Sequence, residues 1–217
     1  ALVLRIIPYS RTSEIVSWLT PDTGRVTTLV KGACRPKSMF LGQYDLFRTC
    51  ELLYYSRERN GLHIARECSP LKMRERLRTD WRAAALASYA CDLLTRVSLP
   101  GHRQEKVYRL AEVLLDYADA GEAEIQAGSW FELRLLATLG IGPRLSGCAA
   151  CGKPPPQGGA QRFSASRGGI ICPACARNGH GQAVTLAPAL AAMLRRWQAS
   201  PTPRSAANTR CTPEQQR

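Results

Sequence analysis

Short runs of alternating apolar and polar residues fill the first part of the chain, and each run ends at turn-forming residues. The turn at Pro21–Gly24 separates two runs that are rich in β-branched side chains. Such runs predict five strands, at residues 1–7, 14–20, 25–31, 43–56 and 62–67. Five strands with the widest gap between the third and fourth predict a small barrel of the OB-fold type, although an SH3-like barrel fits the count nearly as well.

The apolar spacing changes after residue 68 to the i, i+3, i+4, i+7 repeat of helices. Ser69-Pro70 predicts a helix start with a serine cap and proline in the first turn, and Thr79-Asp80 predicts a second start. Two further apolar stripes lie at 107–118 and 131–139, and a last helix is predicted from Thr185 to Trp197. The middle of the chain is therefore predicted to be a helical domain whose apolar stripes form its core.

Four of the nine cysteines form two CxxC pairs that are separated by twenty residues: Cys148, Cys151, Cys172 and Cys175. Two intervening residues form a tight turn that directs both sulfurs at one point, so two such turns can complete a tetrahedral site. The spacing predicts one structural Zn²⁺, and four thiolates leave no open position for catalysis. Two disulfides would instead require an oxidising compartment, and a redox CxxC requires a strand–helix context that is not found here.

Charge is distributed unevenly along the chain. The formal net charge is +13, from 30 Lys and Arg against 17 Asp and Glu. Residues 1–78 carry a net +7, residues 79–145 a net −2, and residues 146–217 a net +8. Two basic segments that flank an acidic one indicate a polyanionic partner, of which a nucleic acid is the commonest, although an arginine-rich composition alone would also raise the charge.

The loop between the predicted third and fourth strands combines a glycine with three cations, Lys31, Arg35 and Lys37. Glycine lets backbone N–H groups and cations approach phosphates closely. The loops after the first and fourth strands flank the ligand face of an OB fold, so Arg11, Arg57 and Arg59 are predicted to share its rim. Four aromatic side chains are candidates for base stacking, and alternation predicts that only one or two of them face outward: Tyr44, Phe47, Tyr54 and Tyr55.

The sequence contains no motif that requires catalysis. There is no GxSxG, P-loop or GxGxxG, and the three histidines are isolated from one another. We expect no signal peptide and no transmembrane helix, and because the chain opens with Ala1 and not with methionine, we expect that further residues precede it. Two other classes stay open. One is a zinc-ribbon and OB-fold protein that binds RNA or the ribosome, and the other is a nucleic-acid-modifying enzyme with a structural zinc.

Several local motifs resemble the RecO family of bacterial DNA repair mediators. Lys31-Gly32…Lys37-Ser38 is similar to the family's basic loop. The run from Phe131 through Leu139-Gly-Ile-Gly-Pro-Arg-Leu145 to Cys148–Gly152 is similar to its helix leading into the zinc module. The resemblance covers residues 1–197, and its most specific part is Phe131–Cys175.

The resemblance implies a non-enzymatic mediator of the RecF pathway. Proteins of this family bind single- and double-stranded DNA and anneal complementary strands. They contact RecR and the acidic C-terminal tail of single-strand-binding protein, and they help to load the recombinase onto DNA coated by that protein. The resemblance thus implies a cytoplasmic, nucleoid-associated protein that has no membrane partner.

The whole pattern predicts an α+β multidomain chain with an N-terminal OB-fold barrel, a helical domain and an inserted Cys₄ zinc-ribbon-like module. We expect the barrel at 1–68, the helical domain at 69–145 and the zinc module at 146–180. A C-terminal helix at 181–199 is predicted to pack on the helical domain, and a disordered tail is predicted at 200–217.

Overall fold

The computed structural model describes residues 1–57, 61–154, 161–177 and 183–207. The chain divides into two compact units, Ala1–Ala123 and Glu124–Arg217. This division falls inside the predicted helical segment, and the finer five-segment division stays a prediction.

The first unit begins with five strands, β1 to β5, which form a closed barrel in the order β1-β2-β3-β5-β4. The strands are Leu2–Pro8, Glu14–Thr20, Gly24–Val30, Thr49–Tyr55 and Leu62–Lys72. β3 and β5 pair in parallel, every other pair is antiparallel, and the Leu2–Thr49 pair closes the barrel. The predicted OB-type barrel is therefore confirmed.

The barrel interior is filled by alternate side chains from each strand, and its centre is Trp18. Val16 and Trp18 point inward from β2 and are fully buried. The indole N–H of Trp18 donates a 2.9 Å hydrogen bond to Thr28 Oγ1, so this buried polar group is satisfied. Cys50 and Cys68 enter the same core from β4 and β5, and both sulfurs lie within 4.0 Å of the Gln43 carbonyl oxygen.

Three helices complete the first unit: α1 (Arg76–Thr79), α2 (Trp81–Val97) and α3 (Glu105–Asp119). The predicted start at Asp80 is correct, because its carboxylate accepts hydrogen bonds from the backbone N–H groups of Arg82 and Ala83. Leu19 follows the inward-facing Trp18, so its side chain points out of the barrel. It is nevertheless fully buried, because α3 contacts β2 on this side. The outer surface of β1 and β2 is thus a second core, shared with the helices.

The prediction that Ser69-Pro70 starts a helix is wrong, because both residues lie in β5. Pro70 pairs with Cys50 at an irregularity in the ladder between β4 and β5. A proline lacks the N–H that a regular ladder requires, and it is tolerated where the ladder is interrupted. The predicted fourth strand is likewise shorter than expected, because residues 31–48 form a long β3–β4 loop and β4 begins only at Thr49.

A tight backbone contact joins the β2–β3 turn to the segment between α2 and α3. The Arg25 N–H donates to the Leu99 carbonyl at 3.2 Å, and the Gly101 N–H donates to the Thr23 carbonyl at 2.9 Å. Gly24 has φ +66°, and a Cβ there would lie 2.3 Å from the Leu99 oxygen. Only glycine allows both this conformation and this close approach.

The second unit contains α4 (Ile125–Thr138), β6 (Gln161–Ser164), β7 (Gly169–Ile171), α5 (Pro173–Arg177), β8 (Val184–Leu186), α6 (Pro188–Ala199) and α7 (Arg204–Ala207). The three strands form a small antiparallel sheet in the order β7-β6-β8. The last long helix begins at Pro188 and not at Thr185, because Thr185 belongs to β8. The expected disordered tail begins instead with α7, whose Ala206 is buried, and the residues after 207 lie outside those described.

One ion-pair cluster fastens the barrel to α3. The Arg74 side chain is 2% exposed and donates to Glu112 at 2.9 Å and to Asp116 at 2.8 Å. It also donates to the Phe47 carbonyl at 2.7 Å and to Thr49 Oγ1 at 3.0 Å, while Lys72 pairs with both carboxylates. Burial alone would raise the pKa of Glu112, but hydrogen bonds from Lys72 and Thr49 and the charge of Arg74 outweigh it and lower that pKa.

We predict that Arg74→Met destabilises the protein by about 3 kcal/mol, because it leaves the carboxylate of Glu112 buried with fewer partners. The matched control is Arg96→Gln, which removes an arginine that is 71% exposed and paired with Asp92 one turn away. That change should cost less than about 0.5 kcal/mol. Urea unfolding monitored by tryptophan fluorescence measures both values, and equal losses would contradict the role assigned to the cluster.

Candidate nucleic-acid interface and metal centre

The two CxxC pairs converge on one point in the second unit. The four sulfur atoms of Cys148, Cys151, Cys172 and Cys175 all lie within 4.8 Å of one another. The sulfurs of Cys151 and Cys172 are 3.8 Å apart. A tetrahedron with Zn–S bonds of about 2.3 Å has edges of roughly 3.8 Å, so this spacing fits a tetrahedral thiolate site. The four cysteines can therefore hold a metal ion.

Local backbone turns present each pair of sulfurs. In the first pair, the Gly152 N–H donates to the Cys148 carbonyl at 2.9 Å, and Gly152 has φ +76°, which favours glycine. The second pair lies where β7 ends and α5 begins, so the first turn of α5 carries Cys175 next to Cys172. The Cys172 N–H donates to the Cys148 sulfur at 3.3 Å and so links the two pairs.

Hydrogen bonds within the cluster lower the pKa of one thiol and raise that of another. Burial alone would raise the pKa of Cys148, but backbone N–H groups of Cys172, Cys151 and Ala150 donate to its sulfur and lower the pKa to about 6. Hydrogen bonds with Cys172 and Cys151 raise the pKa of Cys175 to about 12. Adjacent thiolates repel each other, and a divalent cation relieves that repulsion.

The β1–β2 loop and the β3–β4 loop hold each other in place at one end of the barrel. The Gly32 N–H donates to Ser13 Oγ at 3.1 Å, and the Cys34 N–H donates to the Thr12 carbonyl at 3.1 Å. These contacts bring the loop that carries Arg11 against the segment that carries Lys31, Arg35 and Lys37. Four of the six predicted DNA-binding cations are therefore on two interlocked loops.

The β3–β4 loop is anchored at both apolar and polar points. Ala33 and Phe40 are buried and belong to the barrel core. The Tyr44 hydroxyl donates a 2.5 Å hydrogen bond to Glu14, and the Tyr44 ring packs edge-on against Trp18 with centroids 5.8 Å apart. The cations between these anchors consequently lie on a loop whose backbone is held by the core.

The cations of these loops are exposed and have no carboxylate partner among the described residues. Arg11, Lys31, Arg35, Lys37 and Arg57 are all exposed, and none of them takes part in an ion pair within the described ranges. Four cations on or beside the helices are paired with acidic residues: Arg78, Arg96, Arg103 and Arg109. Three other helix cations form no ion pair within the described ranges: Arg76, Arg82 and Lys106. The barrel loops thus carry five cations of the first unit whose charge no described carboxylate compensates.

Arg57 lies on a separate turn, between β4 and β5. Its backbone N–H donates to His63 Nδ1 at 3.0 Å. The strand that follows the turn, β5, begins at Leu62, which pairs with Thr27 in the middle of β3. The described contacts do not bring this turn together with the two interlocked loops. Arg59, the sixth predicted cation, lies outside the described residues.

A row of apolar side chains crosses the outer face of the barrel, and sequence reasoning missed it. Successive strand pairs match Ile7 with Ile15, Ile15 with Leu29, Leu29 with Ile64, and Ile64 with Tyr55. Paired residues share a face of the sheet, so these five side chains form one continuous apolar row. Tyr55 is 58% exposed, and the Arg66 guanidinium lies 5.9 Å from its ring centroid.

The other three candidate stacking residues do not face outward. Phe47 is buried, and Tyr44 and Tyr54 pack against the barrel core. Tyr55 alone among the four is exposed, which agrees with the expectation that one or two would be. The sequence does place an apolar residue at an outward position in each of the five strands, but the alignment of these residues in one row depends on strand register.

The fold and the cluster define a class of protein in which an OB-type barrel is followed by helices and a four-cysteine metal site. The chain matches the family description "Recombination protein O N terminal" over residues 1–74 and "Recombination protein O C terminal" over residues 78–217. The chain therefore belongs to the RecO family.

Individual relatives agree with this assignment. The chain is 31% identical to the DNA repair protein RecO of Anaeromyxobacter sp. (strain K) over 194 residues, which are 89% of this chain and 76% of that protein. It is 30% identical to that of Symbiobacterium thermophilum, across 83% of this chain and 71% of that protein. It is 35% identical to that of Roseiflexus sp. (strain RS-1), across 81% of this chain and 61% of that protein.

No helix in the described part of the chain is long and apolar enough to cross a membrane.

We predict that the purified protein binds one zinc ion per chain and that Cys148→Ser and Cys175→Ser each lose it. Loss of a structural zinc should destabilise the second unit by several kcal/mol, because binding free energy of about 10 kcal/mol or more contributes to folding in zinc modules. Metal content and thermal unfolding measure the two effects. The control is Cys34→Ser, an exposed cysteine outside the cluster, which should change neither. A Cys175→Ser protein with full zinc content would contradict the assignment.

Proposed function

We propose that this protein is a non-enzymatic DNA repair and recombination mediator that binds single- and double-stranded DNA through the loops of its barrel. The observation that supports this most is that two interlocked barrel loops carry four exposed cations that have no carboxylate partner among the described residues. An exposed arginine that already has a carboxylate partner gains little from a phosphate, whereas an unpaired one releases a counterion when it binds. Phosphate contacts carry no sequence information, which suits a protein that acts at any site of damage.

The apolar row gives the barrel a second way to hold a single strand. In a single strand the base faces are accessible, and they can stack on an exposed aromatic ring with a gain of roughly 1–3 kcal/mol per base. Tyr55, with Arg66 against its ring, is the aromatic group that this proposal assigns to stacking. The loop cations would bind the phosphates on one side, and the row would receive the bases.

Membership of the family supports the wider role. We propose that the protein anneals complementary strands, contacts RecR and the C-terminal tail of single-strand-binding protein, and helps to load recombinase onto strands coated by that protein. Such a role places it at chromosomal DNA in the cytoplasm. We further propose that the four-cysteine site holds one structural Zn²⁺, because four thiolates are the donor set of closed structural sites and leave no position for a substrate.

We predict that changing Lys31, Arg35 and Lys37 together to Ala weakens binding to a single-stranded oligonucleotide and leaves the fold intact. A plot of log affinity against log salt should become shallower by roughly 2, since each phosphate contact on a single strand contributes about 0.7 to the slope. Fluorescence anisotropy across a salt series measures both quantities.

The control variant changes Arg96, Arg103 and Arg109 to Ala. It removes the same charge from exposed but paired positions and should change the slope far less. Equal effects of the two variants would mean that only net charge matters, and an unaffected loop variant would refute the site. Running structured RNA beside the DNA tests the alternative of an RNA-binding protein, which stronger retention of RNA would favour.

A further inference from the structure

The second unit has an unusual charge distribution that the barrel site does not use. From residue 133 to residue 213 the sequence contains ten Lys or Arg residues and no Asp or Glu. Within the described part of this unit, the acidic side chains are Glu124 and Glu132, which lie just before and on α4. Surfaces of ordinary proteins intersperse both signs of charge, so this stretch differs from a merely soluble surface.

Some of these cations have structural roles and are set aside. Arg134 donates to the Gln198 carbonyl at 2.7 Å, and Arg195 donates to the Leu145 carbonyl at 3.0 Å. Both side chains satisfy backbone acceptors inside the unit.

Four exposed cations lie on the segments that form or adjoin the small sheet and the cysteine turns: Arg144, Lys153, Arg162 and Arg177. None of the four forms an ion pair with a described residue. Lys153 immediately follows the first cysteine turn, where its carbonyl accepts from the Cys148 N–H at 2.8 Å. Arg177 ends α5 two residues after Cys175.

The positions of Arg144 and Arg162 are fixed by strand pairing. The Arg144 N–H donates to the Gly168 carbonyl at 2.9 Å, and the Ile170 N–H donates to the Arg144 carbonyl at 2.9 Å. Arg144 thereby pairs with Gly169, which pairs in turn with Ser164 on β6. Arg162 is two residues before Ser164, so Arg144 and Arg162 project from the same face of the sheet.

The contact between Arg144 and the hairpin is too close for any residue other than glycine at position 169. A Cβ at Gly169 would lie 2.4 Å from the Arg144 carbonyl oxygen. Arg144 is therefore held against the β6–β7 hairpin by backbone packing. Cations on such supports lose little backbone freedom when they bind a ligand, and the guanidinium fork matches the geometry of phosphate.

We propose that these four cations form a second phosphate-binding surface, on the cysteine module, that holds the backbone of another polynucleotide strand while the barrel holds the first. The inference rests on the proposed function, because it assumes that the barrel binds the first strand. A polynucleotide fits better than an acidic peptide, because the cations come from four separate segments around the sheet and the cluster. A protein with two independent phosphate-binding surfaces would bring two strands together.

The test measures simultaneous binding of two strands that are not complementary, so that base pairing cannot join them. One strand carries a donor dye and the other an acceptor, and energy transfer reports that one protein holds both. In the test variant, Arg144, Lys153, Arg162 and Arg177 become Gln. We expect it to bind one strand within about twofold of the unchanged protein and to lose energy transfer at least tenfold.

Two further variants exclude trivial causes. Changing Arg96, Arg103, Lys106 and Arg109 to Gln removes the same charge from exposed positions in the first unit and should leave most of the energy transfer. Changing Arg144, Arg162 and Arg177 to Lys keeps the charge and should retain it. Zinc content and thermal unfolding verify each fold, and if the glutamine variant loses zinc, Arg144→Gln and Arg162→Gln are tested singly for a partial loss of transfer.

The outcomes separate the two proposals. If energy transfer is unchanged in the glutamine variant, the second surface is overturned and the barrel site is unaffected. The same conclusion follows if only the barrel-loop variant abolishes the transfer. Transfer that an acidic peptide displaces at lower concentration than a third oligonucleotide also overturns it, in favour of a peptide site. Failure of the unchanged protein to bind even one strand overturns the proposed function itself.

Discussion

The buried guanidinium of Arg74 is the interaction on which the first unit depends. It donates hydrogen bonds to the Phe47 carbonyl at the end of the β3–β4 loop and to Thr49 at the start of β4. It also donates to Glu112 and Asp116 of α3. A cation with 2% exposure is tolerated only when its donors are all occupied, so these four partners cannot move independently. The barrel, its longest loop and the helices are thereby held together, and the acidic residues of α3 are used internally.

That internal use of carboxylates determines where positive charge is left uncompensated. In the first unit Arg96, Arg103 and Arg109 are paired with carboxylates of the helices, while the cations of the interlocked barrel loops have no such partner among the described residues. In the second unit almost no carboxylates exist to neutralise anything. Uncompensated positive charge therefore lies both on the barrel loops and on the second unit. Core packing holds the barrel loops in defined positions, which would reduce the entropic cost of binding a polyanion.

The cysteine cluster forms part of the core of the small module in the second unit. The small sheet has strands of three or four residues, and a structure of this size buries too little apolar surface to be stable alone. The cluster core contains Cys148, Ile171 and Cys172, so sulfurs that can hold a metal ion are also much of the core. A bound metal would serve as the folding element of this module, and the cations around it would lie on a stable frame.

Local patterns along the chain were enough to predict the features that depend on neighbours a few residues apart. The CxxC turns, the strand alternation, the helical stripes and the cap at Asp80 are all local, and each appears in the structure. Tertiary structure decided the rest, because strand register and long-range pairing are set by packing of the whole barrel. Ser69-Pro70 has the local form of a helix start, yet pairing with β4 keeps it in a strand. Arg74 finds partners 38 and 42 residues away, and the apolar row from Ile7 to Tyr55 exists only once five strands are in register, so no local pattern could reveal either.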